Sequence, residues 1–173
     1  DDGLVHVTSN AGGAGNDWRT INSFPDVPTR TYVTSLVAGR HGADTVFATF
    51  SNHKNGDFTP YVLRSDDRGQ TWESIRGDLP DREVCWAIAE DHENPNLLFL
   101  GTEFAAWFSL DGGEHWMKVG GIPTIAVRDV EIQRRENDVV FATFGRGFYI
   151  LDDYTPLRTV THDMLAEECA IFP

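Results

Sequence analysis

Three arginines stand at near-constant distances from tryptophans. Arg30, Arg82 and Arg128 follow Trp18, Trp72 and Trp116 by 12, 10 and 12 residues (30 − 18, 82 − 72, 128 − 116). Guanidiniums converging on one point could clamp a carboxylate or another anion through planar, bidentate hydrogen bonds. The alternative is that each arginine bridges to a neighbouring acid such as Asp26, Asp81, Glu83 or Asp129 and ties structural units together. Cleavage of a glycosidic bond would instead need two carboxylates roughly 5–10 Å apart, one acid and one base or nucleophile. Asp57, Glu103 and Asp129 are the candidates, and none of them sits in a distinguishing motif. His53, near Asp57, could assist proton transfer or bind a metal, or it could be a solvated loop residue. No phosphate loop, nucleophile motif or His-rich metal spacing is present, so no cofactor or metal is expected.

The elements that would position these groups are short strands. Tyr61–Arg64 alternates like a strand, and Ser65-Asp66-Asp67-Arg68-Gly69-Gln70-Thr71-Trp72 follows it. In that stretch Asp67 can fold its carboxylate over a turn and accept backbone N–H groups. Gly69 supplies positive φ, Thr71 starts a return strand, and Trp72 lays a large ring on the layer beneath. Ser109-Leu110-Asp111-Gly112-Gly113-Glu114-His115-Trp116 repeats the pattern, with His115 in place of Thr. Thr8-Ser9-Asn10-Ala11-Gly12 opens like a third copy, with Asn10 for Asp and an insertion near Gly13–Gly15 before Trp18. Leu151-Asp152-Asp153 reads as a decayed fourth. The Trp spacings of 54 and 44 residues (72 − 18, 116 − 72) suit propeller blades of four short strands each.

The fixed positions Ser65, Asp67, Gly69, Thr71 and Trp72, and Ser109, Asp111, Gly113 and Trp116, resemble the Asp box, or BNR repeat, of sialidase-type β-propellers. The chain as a whole is similar to the C-terminal part of a propeller in bacterial sortilin-N-terminal-like or glycosyl-hydrolase-like BNR-repeat proteins. The opening DDGLVHVT (Asp1–Thr8), the two boxes and the ending ATFGRGFYILDDYTPL (Ala142–Leu157) carry that likeness. The resemblance implies an all-β fold of four-stranded antiparallel blades, an exported protein, and boxes that are structural. It also implies that ligands bind on the face opposite the boxes. That face would hold the loops Ser51–Pro60, Gly101–Ala105 and Gly145–Gly147 and the crossovers Phe24–Arg30, Gly77–Glu83 and Gly120–Ile125. Sialidases use an arginine triad on an acidic sugar, which gives Arg30, Arg82 and Arg128 an analogy.

Residues 1–157 are expected to form half a blade, two whole blades and most of a last one, with 158–173 as a linker or short helix, Thr161–Glu168. Such a segment would need the rest of its own propeller, or other chains, to close a ring. The 173 residues carry a net charge of −13, which argues against nucleic-acid and anionic-membrane partners. No apolar run reaches the roughly 20 residues of a membrane span. Cys85 and Cys169 are read as a buried thiol and an incidental one. The expected function is binding or scaffolding within a larger propeller, with an anionic glycan or a peptide as ligand. A glycoside hydrolase of sialidase-like or endoglucanase-like type, with catalytic groups partly in other blades, and a sortilin-like peptide receptor are the alternatives.

Overall fold

A computed structural model describes residues 2–11, 17–161 and 164. The insertion near Gly13–Gly15, most of the expected helix Thr161–Glu168, and Cys169 lie outside the described residues. Four antiparallel sheets follow one another along the chain. The first pairs β1 (Val5–Val7) with β2 (Arg19–Ile21). The second runs in order through β3 (Tyr32–Ala38), β4 (Val46–Ser51), β5 (Tyr61–Ser65) and β6 (Glu73–Ser74). The third repeats that order with β7 (Cys85–Glu90), β8 (Leu98–Thr102), β9 (Ala106–Ser109) and β10 (Met117–Lys118). The last holds β11 (Val127–Gln133), β12 (Asp138–Thr143) and β13 (Phe148–Leu151). Each sheet is a blade of an all-β propeller segment.

Burial explains why these sequences form strands. β8 is buried along its whole length and β4 nearly so, because second strands are covered on both faces by neighbouring blades. Three apolar clusters lie between successive sheets. One joins Val5, Ile21 and Phe24 to Phe50 and Leu63. The next joins Phe47, Val62 and Ile75 to Cys85, Leu98 and Leu100. The third joins Leu97, Phe99 and Val119 to Val127 and Phe141. Burial raises the Cys85 thiol pKa, which makes it an inert core group.

The innermost strand of each sheet from the second onward carries one extra residue. The register slips between Val33 and Ser35, between Cys85 and Ala87, and between Val127 and Asp129. Thr34, Trp86 and Arg128 are therefore the bulged residues, and a bulge re-aims its side chain. Because strands alternate in direction, the loops after second strands and the crossovers between sheets share one end of the segment. The turns after first strands and the Ser-x-Asp hairpins share the other.

Candidate functional site

The hairpin end is built from self-satisfied turns. The Asp67 carboxylate accepts from Ser65 Oγ (2.8 Å), Gln70 N (2.8 Å), Thr71 N (2.8 Å) and Thr71 Oγ1 (2.6 Å). These bonds, those from Thr71 foremost, lower its pKa to about 2. Ser65 Oγ in turn accepts from Gly69 N at 2.8 Å, and Gly69 takes φ of +72°. Asp111 repeats this, accepting from Ser109 Oγ (2.8 Å), His115 N (2.9 Å) and His115 Nδ1 (2.7 Å). The bond to Asp111 raises the pKa of His115. Ligating atoms of Asp111, Glu114 and His115 lie within 4.8 Å of one another, yet Asp111 is already engaged by its own turn. In the first hairpin Asp17 stands in for Asn10, accepting from Thr8 Oγ1 at 2.6 Å and Ser9 Oγ at 3.3 Å.

The same end holds a buried ion cluster that no local pattern announces. Asp91, 0% exposed, accepts two bonds from Arg158 (2.9 Å each) and one from Tyr154 Oη (2.6 Å). Backbone N–H groups of Glu93 and Asn94 complete its shell. Burial opposes ionisation of Asp91, and the bonds from Arg158 and Tyr154 outweigh it, so its pKa is lowered. Arg158 also reaches Glu93 (3.0 Å) and Asn137 Oδ1 (2.8 Å). The cluster thus clamps the segment after β13 onto the turns of the last two sheets.

The opposite end differs in kind. Each loop after a second strand presents one phenylalanine: Phe58 is 37% exposed, Phe104 46% and Phe144 72%. The Arg82 guanidinium lies 5.0 Å from the Phe58 ring centre. Arg128 stacks on Trp86 at 3.6 Å and faces Phe144 at 5.7 Å. Glu103 accepts from Trp86 Nε1 (2.8 Å) and pairs with Arg128 (3.5 Å). The His53 ring meets Trp86 edge-on at 5.7 Å and bonds Ser51 through Nδ1.

The near-constant Trp-to-Arg spacing does not put the three arginines at equivalent positions in the sheets. Arg30 and Arg82 lie in crossovers, four residues before the bulges at Thr34 and Trp86, whereas Arg128 is itself a bulge residue inside β11. The Trp-to-bulge distance shrinks along the chain, 16, 14 and 12 residues (34 − 18, 86 − 72, 128 − 116), while the Trp-to-Arg distance stays nearly constant. Arg30 takes φ of +64°.

The carboxylate candidates are also placed. Asp57 accepts from Asn52 Nδ2 (2.9 Å), Tyr61 Oη (2.7 Å) and Thr59 N (3.0 Å). Burial works against its ionisation, and these bonds still hold its pKa down to about 2, which suits a loop anchor rather than a general acid. Asp129 is exposed and bonds the N–H of Val130. Glu83 was reached by the sequence only as a possible arginine partner. It is buried with Oε2 unpartnered, and burial raises its pKa.

No family model matches the chain. It is 37% identical over 70 residues to xyloglucanase Xgh74A of Acetivibrio thermocellus; that stretch is 36% of this chain and 8% of the relative. Among solved structures, the GH74 xyloglucanase from Xanthomonas campestris superposes with a TM-score of 0.57 at 20% identity. The match covers 73% of this chain and 22% of that one. A structure titled YCF48 bound to D1 peptide superposes with a TM-score of 0.56 at 15% identity, over 81% of this chain and 41% of that one. The shared architecture is a β-propeller. The chain spans well under half the length of each of these relatives, and among the described residues no helix is long and apolar enough to cross a membrane.

Proposed function

We propose that this segment forms part of the glycan-binding face of a larger, glycoside-acting propeller. The single observation behind this reading is the row Phe58, Phe104 and Phe144, one exposed ring on the same loop of three successive sheets. Exposed apolar rings on successive loops, flanked by a few oriented polar groups, suit the alternating apolar and hydroxylated faces of a polysaccharide. Glu103, held by Trp86 and Arg128, supplies a fixed acceptor beside that row. The xyloglucan-acting names of the similar proteins support a glucan backbone as the ligand class. Within this segment we read the role as binding rather than bond cleavage: Asp57 and Glu103 are tied into local bonds, and Asp129 accepts from the N–H of Val130. An acidic substituent on the ligand would meet Arg82 and Arg128, which stack on the aromatic rings of this end, and Arg30 on the preceding crossover. The hairpins at Asp67 and Asp111 act as Asp boxes, purely as turn locks. Export follows from the same likeness.

The test is a titration of neutral xyloglucan oligosaccharide, a matched acidic oligosaccharide and a peptide with a free C-terminal carboxylate. Phe104→Ala should weaken binding of the neutral oligosaccharide about tenfold, and Arg82→Lys should weaken only the acidic one. Oligosaccharide binding indifferent to Phe104→Ala would reject the glycan reading. Binding of the peptide alone would favour a receptor role, the reading to which the arginines on this rim and the peptide complex of a similar fold lend support.

A further inference from the structure

The bulges of the inner strands put Thr34, Trp86 and Arg128 at one level of successive sheets. Thr34 is used within the fold. Its hydroxyl donates to Cys85 O at 2.9 Å and meets Thr49 Oγ1 at 2.7 Å. Trp86 and Arg128 are used on each other. The Arg128 guanidinium lies 3.6 Å from the Trp86 ring centre, with the Phe144 ring centre 5.7 Å away.

The indole is held as a binding platform has to be held. Its Nε1 donates to Glu103 at 2.8 Å, and the His53 ring meets it edge-on at 5.7 Å. His53 is itself fixed by Ser51 Oγ at 2.7 Å. The cation resting on the indole is held far less. Arg158 shows how an anchored arginine looks in this chain: it donates twice to Asp91 at 2.9 Å and once to Asn137 at 2.8 Å, and it is 12% exposed. Arg128 is 39% exposed, and its ionic partner Glu103 stands at 3.5 Å, longer than the roughly 2.7–2.9 Å of a charge-assisted hydrogen bond. Among the described residues no hydrogen bond fixes its guanidinium edge.

A cation lying by its face on a fixed ring, with its N–H edge turned loose, acts oppositely on neutral and acidic ligands. A pyranose stacks through its C–H face on an aromatic ring, and Arg128 occupies the indole face that such a ring would use. Removing the guanidinium forfeits the cation–π contact. A carboxylate needs no such removal. The planar fork donates to it bidentately while the stack on Trp86 keeps the fork oriented.

We propose that Arg128 sets the charge specificity of the loop end: stacked on Trp86, it keeps neutral sugar rings off that indole and holds out its N–H edge to a carboxylate. A neutral sugar takes the indole only when Arg128 swings off it, towards Glu103. This rests on the glycan-binding reading and names the residue that decides which glycans bind well.

The test titrates the 173-residue chain and its Arg128→Ala variant with the neutral xyloglucan oligosaccharide and with its matched acidic form. Arg128→Ala should tighten binding of the neutral ligand at least about threefold and weaken binding of the acidic one about tenfold. A misfolded variant would lose both ligands, so the crossed changes cannot come from lost structure. In the wild-type chain the Arg128 side-chain protons, moved upfield by the Trp86 ring in the free state, should return towards ordinary positions as the neutral ligand saturates and stay upfield with the acidic one. That measurement decides the matter even if the variant fails to fold. Weaker binding of both ligands by a folded variant, unchanged affinities, or Arg128 protons still upfield with the neutral ligand bound would each overturn the proposal and leave the glycan reading standing. No binding of either ligand by either chain would remove the glycan reading, and this proposal with it.

Discussion

Trp72 and Trp116 open the fourth strands of consecutive sheets, but they dock differently. Trp116 is buried, donates its indole N–H to Ile75 O at 2.9 Å, and has its backbone N–H capped by Asp78 at 2.7 Å. Trp72 is half-buried, and its Nε1 is enclosed without a partner. The turns that present the two rings are nearly identical, so the difference comes from the sheet each ring lands on. Trp116 meets a complete four-stranded sheet. Trp72 meets the two-stranded β1–β2 sheet, where the crossover puts Phe24 against the ring at 5.4 Å. The third junction has no tryptophan among the described residues, and the Asp91–Arg158–Tyr154 cluster closes it instead. A hairpin motif thus fixes where a ring is offered, and the preceding sheet decides how much stability it yields.

The polar junction should give the largest effect. Asp91→Ala strands the 12%-exposed Arg158 and the buried Tyr154 hydroxyl, and should cost about 3–5 kcal/mol in a denaturant melt. Asp91 has its pKa lowered on folding. Its contribution is therefore present above the unfolded carboxylate pKa and lost as pH falls through the folded value. Trp116→Ala should follow at about 3–5 kcal/mol, while Trp72→Ala should cost about 2 kcal/mol, because less of its ring is enclosed and no indole bond is lost. Equal costs for the two would break the comparison. His115→Thr should be the smallest change and should sharpen it. The pKa of His115 is raised by Asp111, so its contribution is complete below the unfolded value and fades as pH rises through the folded one. The variant, with a hydroxyl like that of Thr71, should lose that fading, and melts between pH 5 and 9 should show a flatter profile than wild type.

Much of the fold was legible because its code is local. Ser65, Asp67, Gly69 and Thr71 satisfy one another within seven residues, so the hairpin is written where it forms. The strand read from alternation, Tyr61–Arg64, forms as β5 and runs one residue further, to Ser65. The site was less legible. The crossover before β11 is two residues shorter than the one before β7 (eight residues against ten), which carries Arg128 into the strand and breaks the apparent arginine register. The phenylalanine row follows second strands by seven, two and one residues (58 − 51, 104 − 102, 144 − 143), a spacing with no period to detect. The Asp91 clamp joins residues 63 and 67 positions apart, beyond any local pattern.

The central claim is a division of labour between the two ends: self-satisfied hairpins hold the sheets, and the loop end meets the ligand. Amide and indole resonances followed during titration with xyloglucan oligosaccharide test it most directly. The account predicts shifts confined to the loops of Phe58, Phe104 and Phe144 and to the Trp86 indole, with the hairpins of Asp67 and Asp111 unmoved. Shifts centred on those hairpins would contradict it.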